Sequence, residues 1–194
     1  MGGFKTYTSN LILALGRIDS ENEYVVYTDR ESEQSLLPEF ANFTCRVVPL
    51  SIPHVGMAYR EQIELPRQIR KDKLDLVHFP CNTAPINMEQ KYVITLHDTI
   101  QLAKANPFSS GTNSRQFKMW AINTYSKWAI LQATEKAEKR ITVSHYEKNE
   151  IAEQLHIDRD RISVTHLAPN SIFEPASQAT KALWRQELSR TLDL

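Results

Sequence analysis

The sequence predicts an α/β fold: a Rossmann-like, doubly wound and mostly parallel sheet with helices on both faces. Two observations predict it. Short runs rich in β-branched and aromatic residues alternate along the chain with longer segments of helical period, which is the pattern of βαβ units. In addition, 41% of the 194 residues are hydrophobic, which is enough to bury the core of one domain with an extra element.

The predicted strands are short apolar runs, each bounded by polar or turn-forming residues. They are residues 23–28, 44–50, 75–79, 92–96, 140–144 and 162–167. Pro80 ends the third run, because proline cannot continue a strand ladder. The run at 92–96 (YVITL) has the most buried composition of the six.

The predicted helices are residues 7–18, 57–73, 113–139, 146–155 and 177–192. Pro66 predicts a kink in the second of these, or a separate helix that starts there. Ser144, followed three residues later by Glu147, has the spacing of a capping box and predicts a capped start for the fourth. The basic residues of 57–73 are interspersed with Glu61 and other acids, which predicts a solvated helix face.

The long helix at 113–139 carries aromatic and apolar side chains roughly along one side. They are Phe117, Trp120, Ala121, Trp128 and Leu131. We expect this side to pack against the sheet. Lysines flank the tryptophans, so a helix that lies on a membrane surface stays open as the alternative.

A strand is missing at the start of the pattern. A doubly wound sheet begins with a strand, and its first strand is central, whereas the first predicted element here is a helix behind Gly2 and Gly3. We therefore expect the natural polypeptide to have a strand upstream of Gly2. The structure should show either a gap beside the strand at 23–28 or a strand from another chain that fills it.

Charge and composition argue against several classes of protein. The 23 basic and 23 acidic residues balance, which argues against a nucleic-acid partner. Five glycines without a G-x-G-x-x-G or a P-loop disfavour a dinucleotide-dependent dehydrogenase and a P-loop nucleotidase. Two cysteines and six scattered histidines give no metal-ligand spacing. Without a signal-peptide core or a membrane-spanning run, we expect a cytoplasmic protein.

Candidate site residues follow from the rule that ligands bind at the carboxyl ends of parallel strands. His97 and Asp98 come directly after the strand at 92–96, His78 lies near the end of 75–79, and Ser144 ends 140–144. Each has a structural alternative. Asp98 either orients His97 or caps an Asx turn, His78 is a hydrogen-bonded core histidine, and Ser144 is a helix cap.

One motif points elsewhere. Asp158, Arg159 and Asp160 spell D-x-D, a pattern in which two carboxylates can hold a metal ion. That signature belongs after a strand, whereas here it precedes the strand at 162–167, so we interpret it as a solvated turn and predict no metal.

Five stretches in order resemble the N-terminal, acceptor-side domain of GT-B glycosyltransferases of the large group-one retaining family. They are GGFKTYTSNLILAL, ENEYVVYT, LPRQIRKDKLDLVHFPCNTAP, VITLHDTI and RITVSHYEKNEIAEQLHIDRDRISVTHLAPN. The resemblance implies a domain at 1–167, a hinge linker at 168–176, and a helix at 177–194 that leads into an absent nucleotide-sugar-binding domain.

The resemblance also implies a function. Such enzymes transfer a sugar from a nucleotide-sugar donor to an acceptor (a sugar, a lipid-linked sugar or another small molecule) with retention and without a cofactor. His97 and Asp98 then become the catalytic candidates, while Gly2, Gly3, His78 and Ser144 become candidates for binding substrate or donor phosphate. Because some members act on lipid-linked acceptors, peripheral membrane association stays open. The alternative function is a non-catalytic α/β sugar-binding or regulatory module.

Overall fold

The computed structural model describes residues 3–31, 39–50, 56–102, 114–169, 173 and 176–192. The strands are β1 (Tyr24–Thr28), β2 (Phe43–Val47), β3 (Val77–Phe79), β4 (Tyr92–Leu96), β5 (Lys139–Thr142) and β6 (Ile162–Val164). The helices are α1 (Gly3–Ile18), α2 (Gly56–Tyr59), α3 (Leu65–Asp72), α4 (Ser114–Lys136), α5 (His145–Leu155) and α6 (Gln178–Leu192). Parallel strands flanked by helices confirm the predicted fold class.

The strands of the described chain form two parallel sheets. One has the order β1-β2 and the other the order β3-β4-β5-β6. In the larger sheet β4 pairs with β3 on one side and β5 on the other, and Ile94 and Leu96 are buried. The prediction that the strand at 92–96 is a buried one is therefore confirmed.

A gap separates the two sheets. No backbone pairing joins β1 to β3 within the described segments, although the doubly wound order would place one strand between them. The predicted gap beside β1 is therefore confirmed.

The two sheets nevertheless share one hydrophobic core. Leu65 and Ile69 of α3 belong to the same buried cluster as Val48, which follows β2, and Val77 of β3. Tyr27 of β1 packs against this cluster. The helix α3 thus covers one face of both sheets and ties them together.

The helical stretch before α3 changes pitch instead of breaking. Residues Arg60–Glu64 form a π-helical turn, and α3 starts at Leu65 with Pro66 in its first turn. Proline lacks the N–H that an α-helix interior requires, and a π turn is one way for a helix to absorb such a missing bond. The sequence left a kink or a second helix open at Pro66, and the structure shows a helix, α3, that begins at Leu65 and continues from the π turn without a break.

The buried side of α4 differs from the prediction. Ala129, Ile130 and Ala133 face the core, whereas Trp128 is 52% exposed and Leu131 is 40% exposed. The small side chains of Ala129 and Ala133 let the helix backbone approach the core closely, and Trp128 and Leu131 point outward. The expectation that Trp128 and Leu131 pack on the sheet was wrong. Trp120 is also exposed, while the side chains of Phe117 and Ala121 lie outside the described part.

A buried arginine joins α4 to the sheet. Arg140 is only 1% exposed. Its Nε donates to the carbonyl of Thr134 and its Nη2 to that of Glu135, both at 2.7 Å. These carbonyls belong to the last turn of α4, where helical partners are lacking. Desolvation lowers the pKa of the Arg140 guanidinium, and the carbonyl dipoles favour its charge.

Candidate functional site

The carboxyl end of β4 carries two of the six predicted site residues, His97 and Asp98, next to the loop that follows β3. The loop after β3 starts at Pro80, and the loop after β4 starts at His97. The N-terminal turns of α1 pack over this edge of the sheet, because Phe4 and Tyr7 both contact the His97 ring. The site is thus assembled from two strand ends and one helix start.

The imidazole of His97 is held in one orientation. Its Nε2 lies 3.0 Å from the carbonyl oxygen of Pro80. Since a carbonyl only accepts hydrogen bonds, Nε2 is the protonated nitrogen and Nδ1 keeps its lone pair in the neutral ring. The rings of Phe4 and Tyr7 meet the imidazole edge to face, at centroid distances of 5.0 and 4.6 Å. Nδ1 is therefore the atom that could bind a substrate hydroxyl.

Asn82 is a site residue that the sequence reasoning missed. It is 3% exposed, and its Oδ1 accepts the backbone N–H of His97 at 2.8 Å. Its Nδ2 donates to the backbone oxygen of Asp98 at 3.4 Å. An amide side chain two residues after the proline that ends a strand was the available signal. Asn82 joins the loops that follow β3 and β4.

Asp98 caps the turn after β4. Its Oδ1 accepts the N–H of Ile100 at 3.1 Å, which is the Asx geometry of the structural alternative. The ring of His97 hydrogen-bonds to Pro80 instead. A catalytic role for Asp98 stays a prediction. The hydrogen bonds of Asp98 show how it fixes the loop.

His78 lies within the sheet rather than at its open edge. Its Nε2 is 2.8 Å from Oγ1 of Thr95 on β4, and the hydroxyl of Tyr7 lies 3.5 Å from the same oxygen. Burial, and secondarily the nearby His97, lowers the pKa of His78. The arrangement is that of a neutral, hydrogen-bonded core histidine. Its predicted contact with substrate stays a prediction.

Ser144 caps α5, as predicted. Its Oγ accepts the N–H of Glu147 at 3.1 Å. The buried Oε2 of Glu147 has no hydrogen-bond partner in the described structure. Burial, then the charge of Asp98 and that of Glu150, raises the pKa of Glu147. Asp98, Ser144 and Glu147 therefore lie at neighbouring strand ends.

The structure describes only one of the two candidate glycines, Gly3. Gly2 lies outside the described residues. Gly3 is the first residue of α1 and not part of a loop before the helix, so the predicted start of that helix at Tyr7 was wrong. A Cβ on Gly3 would meet no atom within 4 Å. The first N–H groups of a helix lack helical partners and attract anions, and here they lie beside His97.

A second polar cluster connects the π turn to the loop after β3. Oε2 of Glu61 accepts from the Thr83 hydroxyl at 2.8 Å, and its Oε1 accepts from Tyr125 at 3.0 Å. Oε1 of Gln62 accepts the N–H of Ile86 at 2.9 Å. Burial and the charge of Glu61 raise the pKa of Tyr125 to about 12. The prediction of a solvated face was wrong for Glu61, because these contacts fix the loop that carries Asn82.

Asp72 also departs from the prediction of a solvated face. Its side chain is 7% exposed and pairs with Arg46 of β2 at 3.2 Å, and it accepts a hydrogen bond from the Tyr27 hydroxyl. The acid thus anchors α3 to the smaller sheet.

The described residues hold no cluster of three or more histidine, cysteine, aspartate or glutamate side chains that could bind a metal. In the D-x-D sequence, Asp158 accepts the N–H of Asp160 at 3.0 Å in a short 3₁₀ turn before β6. The interpretation as an exposed turn is confirmed. None of the helices among the described residues is both long and apolar enough to cross a membrane.

Comparison with known families agrees with this fold. The model of the family described as Glycosyltransferase Family 4 matches residues 1–168. None of the curated proteins compared with the chain matches it. The family match covers the residues that build both sheets and the edge around His97, and the chain therefore belongs to glycosyltransferase family 4.

Proposed function

We propose that this chain is the acceptor-side half of a retaining glycosyltransferase that moves a sugar from a nucleotide-sugar donor to an acceptor. The observation that carries the proposal is the setting of His97. Its ring follows the buried strand β4, is oriented by the Pro80 carbonyl and lies under the first turns of α1. A fixed imidazole beside the N-terminal turn of a helix suits a sugar hydroxyl next to a phosphate.

Each site residue has a role in this proposal. His97 binds a hydroxyl of the transferred sugar or the acceptor through Nδ1, and Asp98 holds the loop that presents it. The N–H groups of Gly2 and Gly3 approach the donor phosphates, because glycine leaves the backbone accessible. His78 supports the site from within the sheet, through Thr95, and Ser144 supports it as the cap of α5. The proposal needs no cofactor, since the nucleotide sugar is a co-substrate.

A second domain completes the site in this proposal. The donor binds mainly to a C-terminal domain that follows the linker at 168–176, and closure of the two domains brings donor and acceptor together. The exposed apolar side chains of α6 support this, because Leu183, Trp184 and Leu188 have large accessible surfaces on a helix after the linker. Exposed apolar patches commonly mark contact surfaces.

The proposed compartment is the cytoplasm, with peripheral contact to a membrane as an addition. Peripheral contact with a membrane would use an exposed surface of α4, formed by Trp120, Trp128 and Leu131. They would lie against lipid when the acceptor is lipid-linked. No observation favours the non-catalytic module over the transferase.

The test of the proposal is turnover by the complete natural polypeptide on a panel of nucleotide sugars. Release of nucleoside diphosphate and the anomeric configuration of the product are followed by NMR spectroscopy. We expect release from one donor class with retained configuration, and none from residues 1–194 alone. An inverted product contradicts the retaining mechanism, and sugar transfer by residues 1–194 alone contradicts the two-domain site.

A further inference from the structure

The carboxylate of Glu61 is the meeting point of three segments of the chain. Its Oε1 accepts hydrogen bonds from Nε2 of Gln62 at 2.9 Å and from the Tyr125 hydroxyl of α4 at 3.0 Å. Its Oε2 accepts from the Thr83 hydroxyl, in the loop after β3, at 2.8 Å. An ionised carboxylate offers acceptors only, and its hydrogen bonds are stronger than those between neutral groups. Glu61 therefore anchors this loop to the π turn and to α4.

Gln62, the next residue of the π turn, holds the same loop at a second point. Because its Nε2 donates to Glu61 and to the Tyr125 hydroxyl, at 2.9 and 3.0 Å, its Oε1 is the end that faces the loop. That oxygen accepts the N–H of Ile86 at 2.9 Å. Glu61 thus sets the orientation of the Gln62 amide, and the loop is held at both Thr83 and Ile86. π turns are frequent at functional sites.

The anchored loop contacts His97 immediately before Thr83. The carbonyl of Pro80 accepts the Nε2–H of the His97 ring at 3.0 Å, and Oδ1 of Asn82 accepts the His97 backbone N–H at 2.8 Å. Asn82 is the residue that precedes Thr83 in the chain. A displacement of Thr83 therefore moves both the group that orients the ring and the group that fixes the backbone.

Close packing transmits such a displacement along the loop. Asn82 and Ala84, the neighbours of Thr83, are 3% and 0% exposed, so one residue has little room to adjust without moving the next. Burial, and then the charge of Glu61, raises the pKa of the Cys81 thiol, so the charge also acts on the start of the loop. Both oxygens of Glu61 accept from protein donors. Glu61 therefore acts through the loop and not on substrate.

We propose that Glu61 is a positioning residue for His97: its carboxylate holds the Thr83 hydroxyl and thereby fixes the loop that orients the imidazole. The kinetic consequence rests on the proposed function, whereas the structural consequence does not. Without the bond to Thr83, the loop samples further arrangements, and the imidazole spends less time in its reactive orientation. Turnover then falls more than substrate binding, because a small misplacement of a catalytic group is costly.

The test separates the hydrogen bond of Thr83 from the shape of its side chain. Thr83→Val removes the hydroxyl and keeps the branched shape, whereas Thr83→Ser keeps the hydroxyl and removes a methyl group. Glu61→Ala removes the carboxylate itself. The matched control is Tyr27→Phe, which removes the hydrogen bond that Tyr27 donates to Asp72 of α3, a carboxylate that anchors α3 to the smaller sheet instead of the site loop.

Three quantities are measured on the complete natural polypeptide with each substitution. They are the hydrogen exchange of the His97 backbone amide, kcat and KM on the panel of nucleotide sugars, and the free energy of unfolding in urea. Hydrogen exchange reports the bond between His97 and Asn82 and needs no turnover. Failure of the proposed function, seen as a wild-type protein that turns over no donor, is thereby distinguished from failure of the positioning role.

We expect Thr83→Val and Glu61→Ala to speed exchange of the His97 amide about 10-fold. They should also lower kcat by about 10- to 100-fold, with a smaller change in KM. Thr83→Ser should stay near the wild-type values, because its hydroxyl still donates to Glu61. Tyr27→Phe should lower the unfolding free energy without changing exchange at His97.

The proposal is overturned if Tyr27→Phe speeds exchange at His97 as much as Thr83→Val does, because the effect would then follow general stability. It is also overturned if Thr83→Val and Thr83→Ser have the same exchange rate at His97, since the hydroxyl would then be idle. Where Glu61→Ala does not fold, the comparison of the two Thr83 variants decides.

Discussion

The backbone N–H of His97 donates to Oδ1 of Asn82 at 2.8 Å. This bond joins the loop after β3 to the loop after β4, and Asn82 reaches Asp98 with its other amide atom. A buried side chain that satisfies the backbone at the start of a loop fixes where that loop goes. Asn82 is therefore a positioning residue for His97.

Asn82→Ala should reduce both the stability of the domain and the turnover of the proposed transferase. The substitution leaves a mostly buried N–H without its acceptor, which costs about 1–3 kcal/mol, and it lets the His97 loop shift. We expect kcat to fall more than KM rises. The matched control is Asn87→Ala, since Asn87 is exposed in the same loop. Equal effects of Asn82→Ala and Asn87→Ala on kcat and KM would contradict a positioning role for Asn82.

His78 should make the protein less stable in mild acid. Burial lowers its pKa in the folded state below the ordinary value of 6.5, so the unfolded chain binds a proton more readily. Stability is then fully present above about pH 6.5 and falls as the pH drops below it. His78→Gln should remove this part of the pH dependence.

Denaturant unfolding at pH 7.5 and pH 5.5 measures the effect of His78→Gln. The control is His156→Asn, because His156 is exposed and has a positive φ of 55° that asparagine tolerates. The loss of unfolding free energy between pH 7.5 and pH 5.5 is compared for the two variants. If His78→Gln and His156→Asn change this loss equally, it does not come from the buried imidazole of His78.

Gly16→Ala should destabilise the domain, although alanine normally favours a helix over glycine. A Cβ on Gly16 would lie 2.2 Å from Cδ2 of the Phe40 ring, so the contact between α1 and the segment before β2 must open. We expect a loss of about 1–3 kcal/mol, as for other overpacked sites.

A double-mutant cycle with Phe40→Ala isolates the contact between Gly16 and Phe40. In the Phe40→Ala background the ring is gone, and Gly16→Ala should stabilise α1 by about 0.5–1 kcal/mol. A stabilising effect of Gly16→Ala in the wild-type background, measured by thermal or urea unfolding, contradicts the close packing of α1.

The features that were predicted from sequence depend on local pattern. The strand β4 was predicted with its observed bounds because YVITL is apolar and bounded by polar residues. The cap by Ser144 depends on two residues three positions apart. The gap beside β1 was predictable because strand order in a doubly wound sheet is restricted.

The features that were missed depend on contacts between distant segments. The cluster of Glu61, Thr83 and Tyr125 joins three parts of the chain. Because Glu61 is charged, the sequence alone predicted that it is solvated. The helical periodicity of α4 groups its side chains into faces, but it does not indicate which face packs against the core. The alanines at 129, 133 and 137 were the available signal for the buried side.

The central proposal is that the fixed imidazole of His97 acts on substrate, and its most direct test is the turnover of the proposed transferase with His97→Ala and His97→Gln. Glutamine retains a donor for the Pro80 carbonyl but has no imidazole Nδ1, and His156→Asn is the control. We predict that both substitutions lower kcat about 10²–10³-fold, as for loss of one transition-state hydrogen bond, while the enzyme stays folded by circular dichroism. Near-normal turnover of His97→Gln would contradict the account.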